Sequence, residues 1–169
     1  VGERLKVYLA SVEKTSKFPK IMISRKSEGL LKKLFELEIP EISSGIIQIK
    51  SLAREAGSRA KVAVYSEVAN IDTIGACIGQ KGARIKNIVD ELNGEKIDIV
   101  IWKPEVEEFV SAVLSPAVVE SVEILEDGTA KVLVAPSQLS LAIGKNGQNA
   151  RLAARITGMR VDIKVTDKE

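Results

Sequence analysis

Histidine is absent from this 169-residue chain, and cysteine occurs once, at position 77. Histidine is the usual general base of hydrolytic triads and the commonest metal ligand, and one cysteine cannot build a structural zinc site. No acidic side chains are paired in a way that suits general acid–base catalysis. The composition therefore predicts neither an enzyme nor a bound metal or cofactor, and we expect Cys77, which lies among apolar neighbours, to be a packed core thiol.

Other familiar signatures are missing as well. The segment Gly75–Lys81 does not make a nucleotide-binding P-loop, which has four residues between its glycines and then Lys followed by Ser or Thr. Because the sequence has no apolar run of membrane-spanning length and no signal-peptide pattern, we expect a cytoplasmic protein without membrane contact. Aromatic residues make up only 4% of the chain, so stacking on aromatic rings is not the expected main device of any nucleic-acid site.

What the sequence does contain is a duplicated glycine turn. Cys77–Gly82 reads Cys-Ile-Gly-Gln-Lys-Gly, and 65 residues later Ala142–Gly147 reads Ala-Ile-Gly-Lys-Asn-Gly. A Gly-x-x-Gly turn between two short helices lets backbone N–H groups approach a phosphate without an intervening side chain. One such turn is a weak signal because glycine pairs are common in loops, but two turns in matching surroundings are a much stronger one.

The match extends to the helices that follow the turns. Their apolar positions keep the same helical phase, which predicts that each helix packs against its own core in the same way. The corresponding positions are Ile85, Ile88, Val89 and Leu92 in the first copy and Ala150, Ala153, Ala154 and Thr157 in the second. Asn93-Gly94 and Gly158 are suited to the left-handed residues that commonly end helices.

Strands and further helices are predicted at corresponding places in both copies. Helical periodicity covers 28–37 and 105–114, and strand patterns cover 60–64, 96–99, 130–134 and 160–163. Asp127-Gly128 predicts a hairpin between Val122–Ile124 and the strand that follows. Each copy therefore reads helix, strand, strand, helix, Gly-x-x-Gly, helix, strand, and we expect a fixed tandem because each copy alone would bury only a modest core.

Basic residues gather at the glycine turns although the net charge is only +2. Residues 104–130 contain six Glu and one Asp but no Lys or Arg. The basic residues that accompany the turns are Lys81, Arg84 and Lys86 in the first copy and Lys145, Arg151, Arg155 and Arg160 in the second. Such clusters indicate a site for a polyanion, although solvated helix faces would also carry them.

The order of elements and the Ile-Gly-x-x-Gly turn resemble the prokaryotic (type II) KH domain, an α+β fold. Longer strings, 137–153, 75–79 and 94–99, resemble the tandem KH region of the NusA family of bacterial transcription elongation and antitermination factors. The resemblance implies that the glycine loops clamp about four nucleotides of single-stranded RNA each. It covers the chain from about residue 27 onward.

The resemblance also implies a domain order. In that family an OB-fold domain precedes the KH pair, and Gly2–Val7 and Ile21–Arg25 resemble its last two strands. We therefore expect a partial OB-fold domain at 1–26, a first KH domain at 27–102 and a second at 103–169. The family binds RNA polymerase mainly through an N-terminal domain that has no counterpart here, so we expect a fragment. The sequence contains no oligomerisation motif, and we expect a monomer.

The residues themselves suggest roles in RNA binding. The glycines would keep the phosphate approach open, the basic residues would add charge, and the resemblance implies apolar base grooves floored by Ile78 or Ile143. The expected RNA-contacting residues are Ile78, Gly79, Gln80, Lys81, Gly82, Arg84, Lys86, Ile97 and Ile99 in the first copy. In the second copy they are Ile143, Gly144, Lys145, Asn146, Gly147, Asn149, Arg151, Arg155, Val161 and Ile163.

Structural roles compete with these expectations. The glycines could be simple helix terminators, Ile78 and Ile143 could be wholly buried, and Asn146 or Asn149 could cap a helix end. The favoured function is sequence-preferring binding of single-stranded RNA, the nascent transcript, within a transcription elongation factor. The alternative is a protein-interaction scaffold whose acidic stretch, 105–127, docks a basic partner.

Overall fold

A computed structural model describes residues 2–166. The two copies fold alike, each with a three-stranded sheet covered on one face by helices, and a two-stranded hairpin precedes the first copy. The strands are β1 (Tyr8–Glu13), β2 (Lys20–Ser24), β3 (Gln48–Glu55), β4 (Arg59–Tyr65), β5 (Lys96–Ile101), β6 (Ser121–Ile124), β7 (Thr129–Val134) and β8 (Arg160–Val165). The helices are α1 (Glu28–Glu38), α2 (Pro40–Ser43), α3 (Thr73–Ile78), α4 (Ala83–Glu91), α5 (Val106–Val113), α6 (Leu139–Ile143) and α7 (Gln148–Thr157).

Both sheets have the same topology. The central strand, β4 or β7, pairs antiparallel with the strand before it and parallel with the last strand of its copy. A parallel pair needs a long crossover connection. In each copy that crossover is the pair of helices joined by the Gly-x-x-Gly turn, so the fold places both turns in equivalent positions.

The sequence predicted most of these elements. The element order of both copies is confirmed, as is the β6–β7 hairpin at Asp127-Gly128. Asn93, Gly94 and Gly158 all have positive φ at the ends of α4 and α7, as helix termination there requires.

The first predicted strand of the N-terminal hairpin was wrong. Gly2–Val7 is not a strand, and β2 pairs instead with Tyr8–Glu13, with Glu13 opposite Lys20. The reason is the turn at residues 14–19, where the Thr15 hydroxyl accepts from the backbone N–H of Phe18 at 3.3 Å. Such a short reversal pairs β2 with the residues immediately before it, whereas the sequence pattern favoured a more distant segment.

The two copies share a hydrophobic core. Ala53, Ala63 and Val100, on the outer face of the first sheet, belong to the same buried cluster as residues of α5, α6 and α7. Lys61 lies on that face and is 0% exposed. Its Nζ donates to Asp98 at 3.1 Å and to the backbone oxygen of Ser115 in the second copy at 2.9 Å. Burial lowers the pKa of Lys61.

We expect Lys61→Ala to lower the free energy of unfolding by about 2–3 kcal/mol, because it leaves a cavity and an unpaired carbonyl between the copies. Lys131→Ala is the matched control, since Lys131 holds the equivalent position on the open face of the second sheet and, within residues 2–166, pairs with the exposed Glu123 alone. Its cost should stay below about 0.5 kcal/mol. Urea unfolding measures the loss of free energy in both variants, and equal losses would contradict a fixed junction between the two copies.

Candidate nucleic-acid interface

The two glycine loops have nearly the same backbone conformation. The first glycines, Gly79 and Gly144, have φ/ψ of 75°/173° and 76°/169°. The third residues are left-handed in both loops, with φ/ψ of 52°/27° at Lys81 and 54°/30° at Asn146. The second glycines follow at 74°/15° and 72°/14°. Because side chains strain at the backbone angles of these glycines, glycine suits both positions, whether the turn only ends a helix or also serves a ligand.

Each loop leaves the N-terminus of the next helix open. Gly82 and Gly147 are the N-cap residues of α4 and α7, and within residues 2–166 no side chain caps either terminus. The first N–H groups of a helix have no partner inside the helix, and the helix dipole adds partial positive charge there. Both termini therefore suit an anionic group such as phosphate.

The two glycines of each loop have different surroundings. A Cβ on Gly79 would come within 2.7 Å of the Arg84 Cγ, and one on Gly144 would come within 2.7 Å of the Asn149 Cβ. Around Gly82 a Cβ would meet nothing within 4 Å in the described part of the chain. The first glycine of each loop thus packs against the helix that follows the loop, while Gly82 borders open space and a Cβ on Gly147 would lie 3.8 Å from Arg151 Nη1.

The loop residues between the glycines face solvent. Gln80, Lys81, Lys145 and Asn146 are all exposed, as is Lys86 one turn into α4. Among the described residues, none of these lysines forms a salt bridge. Their charge is therefore available to a ligand at the loops.

An apolar strip lies beside each loop. Ile78 and Ile143 are 37% and 38% exposed, so the alternative that they are wholly buried is wrong. The strand residues among the expected RNA contacts are only partly buried and pack on the cores from the last strand of each copy; they are Ile97, Ile99, Val161 and Ile163. Helices α3 and α6 contact those strands, β5 and β8. Each loop thus adjoins an apolar surface that could receive a base.

The arginines near the loops have acidic partners that the local sequence did not reveal. Arg84 lies 2.8 Å from the Glu41 carboxylate. Arg151 and Arg155 both lie near Glu55 of the first copy, with Arg155 at 3.9 Å. Glu55 is 96 residues from Arg151 in sequence, so no local pattern could have indicated this pair.

Glu55 joins the second loop to the first copy. Its carboxylate accepts hydrogen bonds from Arg151 and from Gln148, the latter at 2.8 Å, and these hold the pKa of Glu55 at about 2. Arg151 also donates to the backbone oxygen of Asn146 within the loop, at 3.1 Å. The second loop is therefore tied to β3 of the first copy.

Asn149 and Cys77 are both buried. Asn149 is 4% exposed, and three backbone oxygens, those of Leu114, Leu141 and Ala142, lie within hydrogen-bonding distance of the two N–H groups of its amide. This geometry favours the capping alternative for Asn149 over direct contact with RNA. Cys77 is fully buried, as expected of a core thiol, and burial raises its pKa to about 11.

Comparison with known proteins identifies the fold. Residues 25–102 match the NusA-like first KH domain, and residues 106–169 match the NusA-like second KH domain. The chain belongs to the NusA family. The predicted α+β fold with two tandem KH domains is thereby confirmed. A crystal structure titled APE1850 has a similar fold, with a TM-score of 0.60 at 22% identity over 79% of this chain and 95% of that one.

Curated relatives support the assignment. The transcription termination/antitermination proteins NusA of Halalkalibacterium halodurans and Bacillus subtilis are 55% and 53% identical to this chain over 96% of its length. That of Thermus thermophilus is 51% identical over 93%. The chain spans only 43%, 44% and 41% of these three relatives. These relatives are named as transcription proteins and not as enzymes, in agreement with the prediction that this chain is not an enzyme.

The helices of residues 2–166 include none that is both long and apolar enough to cross a lipid bilayer.

We expect the Glu55 link to make stability depend on pH. A carboxylate whose pKa is lowered by folding stabilises the folded state above its unfolded pKa, and that contribution is lost as the pH falls. The wild-type free energy of unfolding should therefore decline between about pH 4.5 and pH 2 more steeply than that of Glu55→Gln. Urea titrations across this range test it. Glu123→Gln, at an exposed pair, should follow the wild type, and parallel curves for wild type and Glu55→Gln would refute the link.

Proposed function

We propose that both KH domains bind the backbone of single-stranded RNA through their Gly-x-x-Gly loops, as the RNA-reading part of a transcription elongation, termination and antitermination factor. One observation carries this proposal: two loops 65 residues apart share an unusual backbone conformation and present uncapped helix N-termini beside exposed lysines. A structural turn would not need the same exposed, basic setting twice.

The backbone of the RNA would contact the loops through phosphate. The first N–H groups of α4 and α7 donate to the backbone oxygens of Gln80 and Lys145, so the N–H groups that follow them and the helix dipole would supply the donors and the partial positive charge. Lys81 and Lys145, the exposed lysines within the loops, add full charge at the same places. Neither device distinguishes one base from another, so the loops would set affinity and position.

The bases would lie on the apolar strips. Ile78 and Ile143 offer partly exposed surface beside each loop. Stacking on rings contributes little in this picture, because Trp102, the single tryptophan, packs between Tyr65 and Phe109. Any sequence preference would come from the shape of the grooves and from backbone groups at their edges.

The relatives' names support a role for this binding in transcription. They are called transcription termination/antitermination proteins, so the RNA would be a nascent transcript in the cytoplasm. Contact with RNA polymerase would belong mainly to parts of the full-length relatives that this chain does not span.

A scaffold function is the competing proposal. Glu107, Glu108 and Glu120 lie together on an exposed surface made by α5 and the start of β6, where a basic partner could dock. That surface would have no need of the glycine loops. Loop variants therefore distinguish the two functions.

We expect acidic loop variants to lose RNA affinity. Gln80→Asp with Lys81→Asp, and Lys145→Asp with Asn146→Asp, place negative charge where phosphate would sit. Each pair should weaken binding at least about tenfold, or ~1.4 kcal/mol. Asp tolerates the left-handed position, and the first glycines are left intact because a side chain there would clash. Fluorescence anisotropy with a short unstructured RNA measures the effect.

The control carries the same charge change on another face. Ser121→Asp with Lys164→Asp adds equal negative charge on the exposed face of the second sheet and should bind nearly as the wild type does. If a correctly folded variant with both loops acidified binds RNA like the wild type, the scaffold function is the better explanation.

We also expect steep salt dependence. If the two loops neutralise roughly 6 to 8 phosphates, a plot of log K against log salt should have a slope of about −4 to −6 for single-stranded RNA. Acidifying one loop should flatten the slope. A wild-type slope near zero would exclude the phosphate contacts.

A further inference from the structure

The internal repeat places two different residues at one position. Arg84 and Asn149 each come two residues after the second glycine of their loop, in the first turn of α4 and of α7. A shared role as RNA contacts would require both polar groups to face solvent. Asn149 is buried, however, and the Arg84 guanidinium donates to Glu41 and to the backbone oxygen of Ala76 within the first domain.

Both side chains reach the same backbone group. Arg84 Nη1 donates to the oxygen of Ala76 at 2.6 Å, and Asn149 Nδ2 donates to the oxygen of Leu141 at 3.3 Å. Ala76 and Leu141 are equivalent positions, 65 residues apart, near the ends of α3 and α6. The last carbonyls of a helix have no partner inside it, so each side chain satisfies an orphan acceptor just before the loop.

Each side chain also has a second anchor outside the loop. Arg84 pairs with Glu41 of α2 at 2.8 Å, whereas Asn149 donates to the oxygen of Leu114, at the end of α5, at 3.0 Å. Their stems lie against the first glycines, Gly79 and Gly144, closely enough that a Cβ there would clash. The helices before and after each loop are thus tied to each other and to the rest of the domain.

We propose that Arg84 and Asn149 are positioning residues, which hold each glycine loop in its phosphate-binding conformation without contacting phosphate themselves. This inference rests on the proposed function, RNA binding by the loops. A guanidinium and an amide can both donate to a carbonyl, so arginine in one copy and asparagine in the other can hold the loop in the same way. Lys81 and Lys145 would then supply the charge that meets RNA, and the residue two places after the loop would supply its geometry.

Exchanging the residue between copies tests this directly. Because the two loops have the same backbone angles, an asparagine at position 84 should reach the carbonyls at the end of α3 as Asn149 reaches those of α6. The parent protein carries Lys145→Asp with Asn146→Asp, so that the measured RNA affinity reflects the first loop. Into this parent we would introduce either Arg84→Asn or Arg84→Ala. Lys81→Ala is the control, because it removes a charge that we expect to contact phosphate.

The two Arg84 variants remove the same charge, and only the asparagine keeps a side-chain group that can donate to the carbonyls at the end of α3. We expect Arg84→Asn to bind a short unstructured RNA within about threefold of the parent, and Arg84→Ala to bind at least fivefold more weakly. Both should keep the parent's salt slope, whereas Lys81→Ala should reduce the slope by about 0.7, the loss of one phosphate contact. Thermal unfolding of each variant shows that binding is compared between folded proteins.

Three results would overturn the inference. Equal weakening by Arg84→Asn and Arg84→Ala with a smaller salt slope would make Arg84 a phosphate contact. Parental affinity in both variants would make the side chain dispensable, and equal weakening with an unchanged slope would mean that asparagine cannot replace arginine here. If the parent itself fails to bind RNA while the fully wild-type chain binds, the proposed function fails at the first loop, and that outcome is distinct from the other three.

Discussion

The left-handed turn between two short helices is the constraint on which the binding surface depends. It joins the two helices within four residues, and its glycines allow backbone angles that other residues adopt only with strain. The turn points the N-terminus of the following helix outward without a side-chain cap, which leaves donors for an anion. The same backbone brings the first glycine against the following helix, so one conformation creates both the open side and the packed side of the loop.

The two KH domains share one fold but differ in what the outer faces of their sheets contact. The outer face of the first sheet carries small apolar residues such as Ala53 and Ala63, and it packs on helices of the second domain. Lys61 and Asp98 of that face have the equivalents Lys131 and Asp162 on the second sheet, but Ala53 and Val100 are replaced there by Glu123 and Lys164, which are exposed. The difference explains why the domains form a closed pair with a shared core. It also brings Glu55 to the second loop, so the electrostatics of that loop depend on both domains.

Sequence reasoning predicted what local patterns encode. The glycine spacing and Asp127-Gly128 each determine a nearby backbone conformation, and both were found where expected. The apolar stripe predicted for α7 was wrong by one residue, because the buried residues of that helix are Asn149, Leu152, Ala153 and Ile156. What it missed depends on distant contacts: Glu55 meets Arg151 only after the domains dock, and the first strand of the hairpin was misplaced because a turn at Thr15 sets its pairing. The burial of Asn149 was also hidden, because a polar residue after a glycine loop looks the same whether it faces solvent or caps a helix.

The most direct test is to follow every backbone amide by NMR while a short unstructured RNA is added to the isotope-labelled chain. If phosphate binds at the uncapped helix N-termini, the largest chemical-shift changes will fall on the amides of residues 79–85 and 144–150. The apolar strips at Ile78 and Ile143 should shift with them. Changes confined to the acidic surface at 105–127, or spread evenly with both loops silent, would contradict the account.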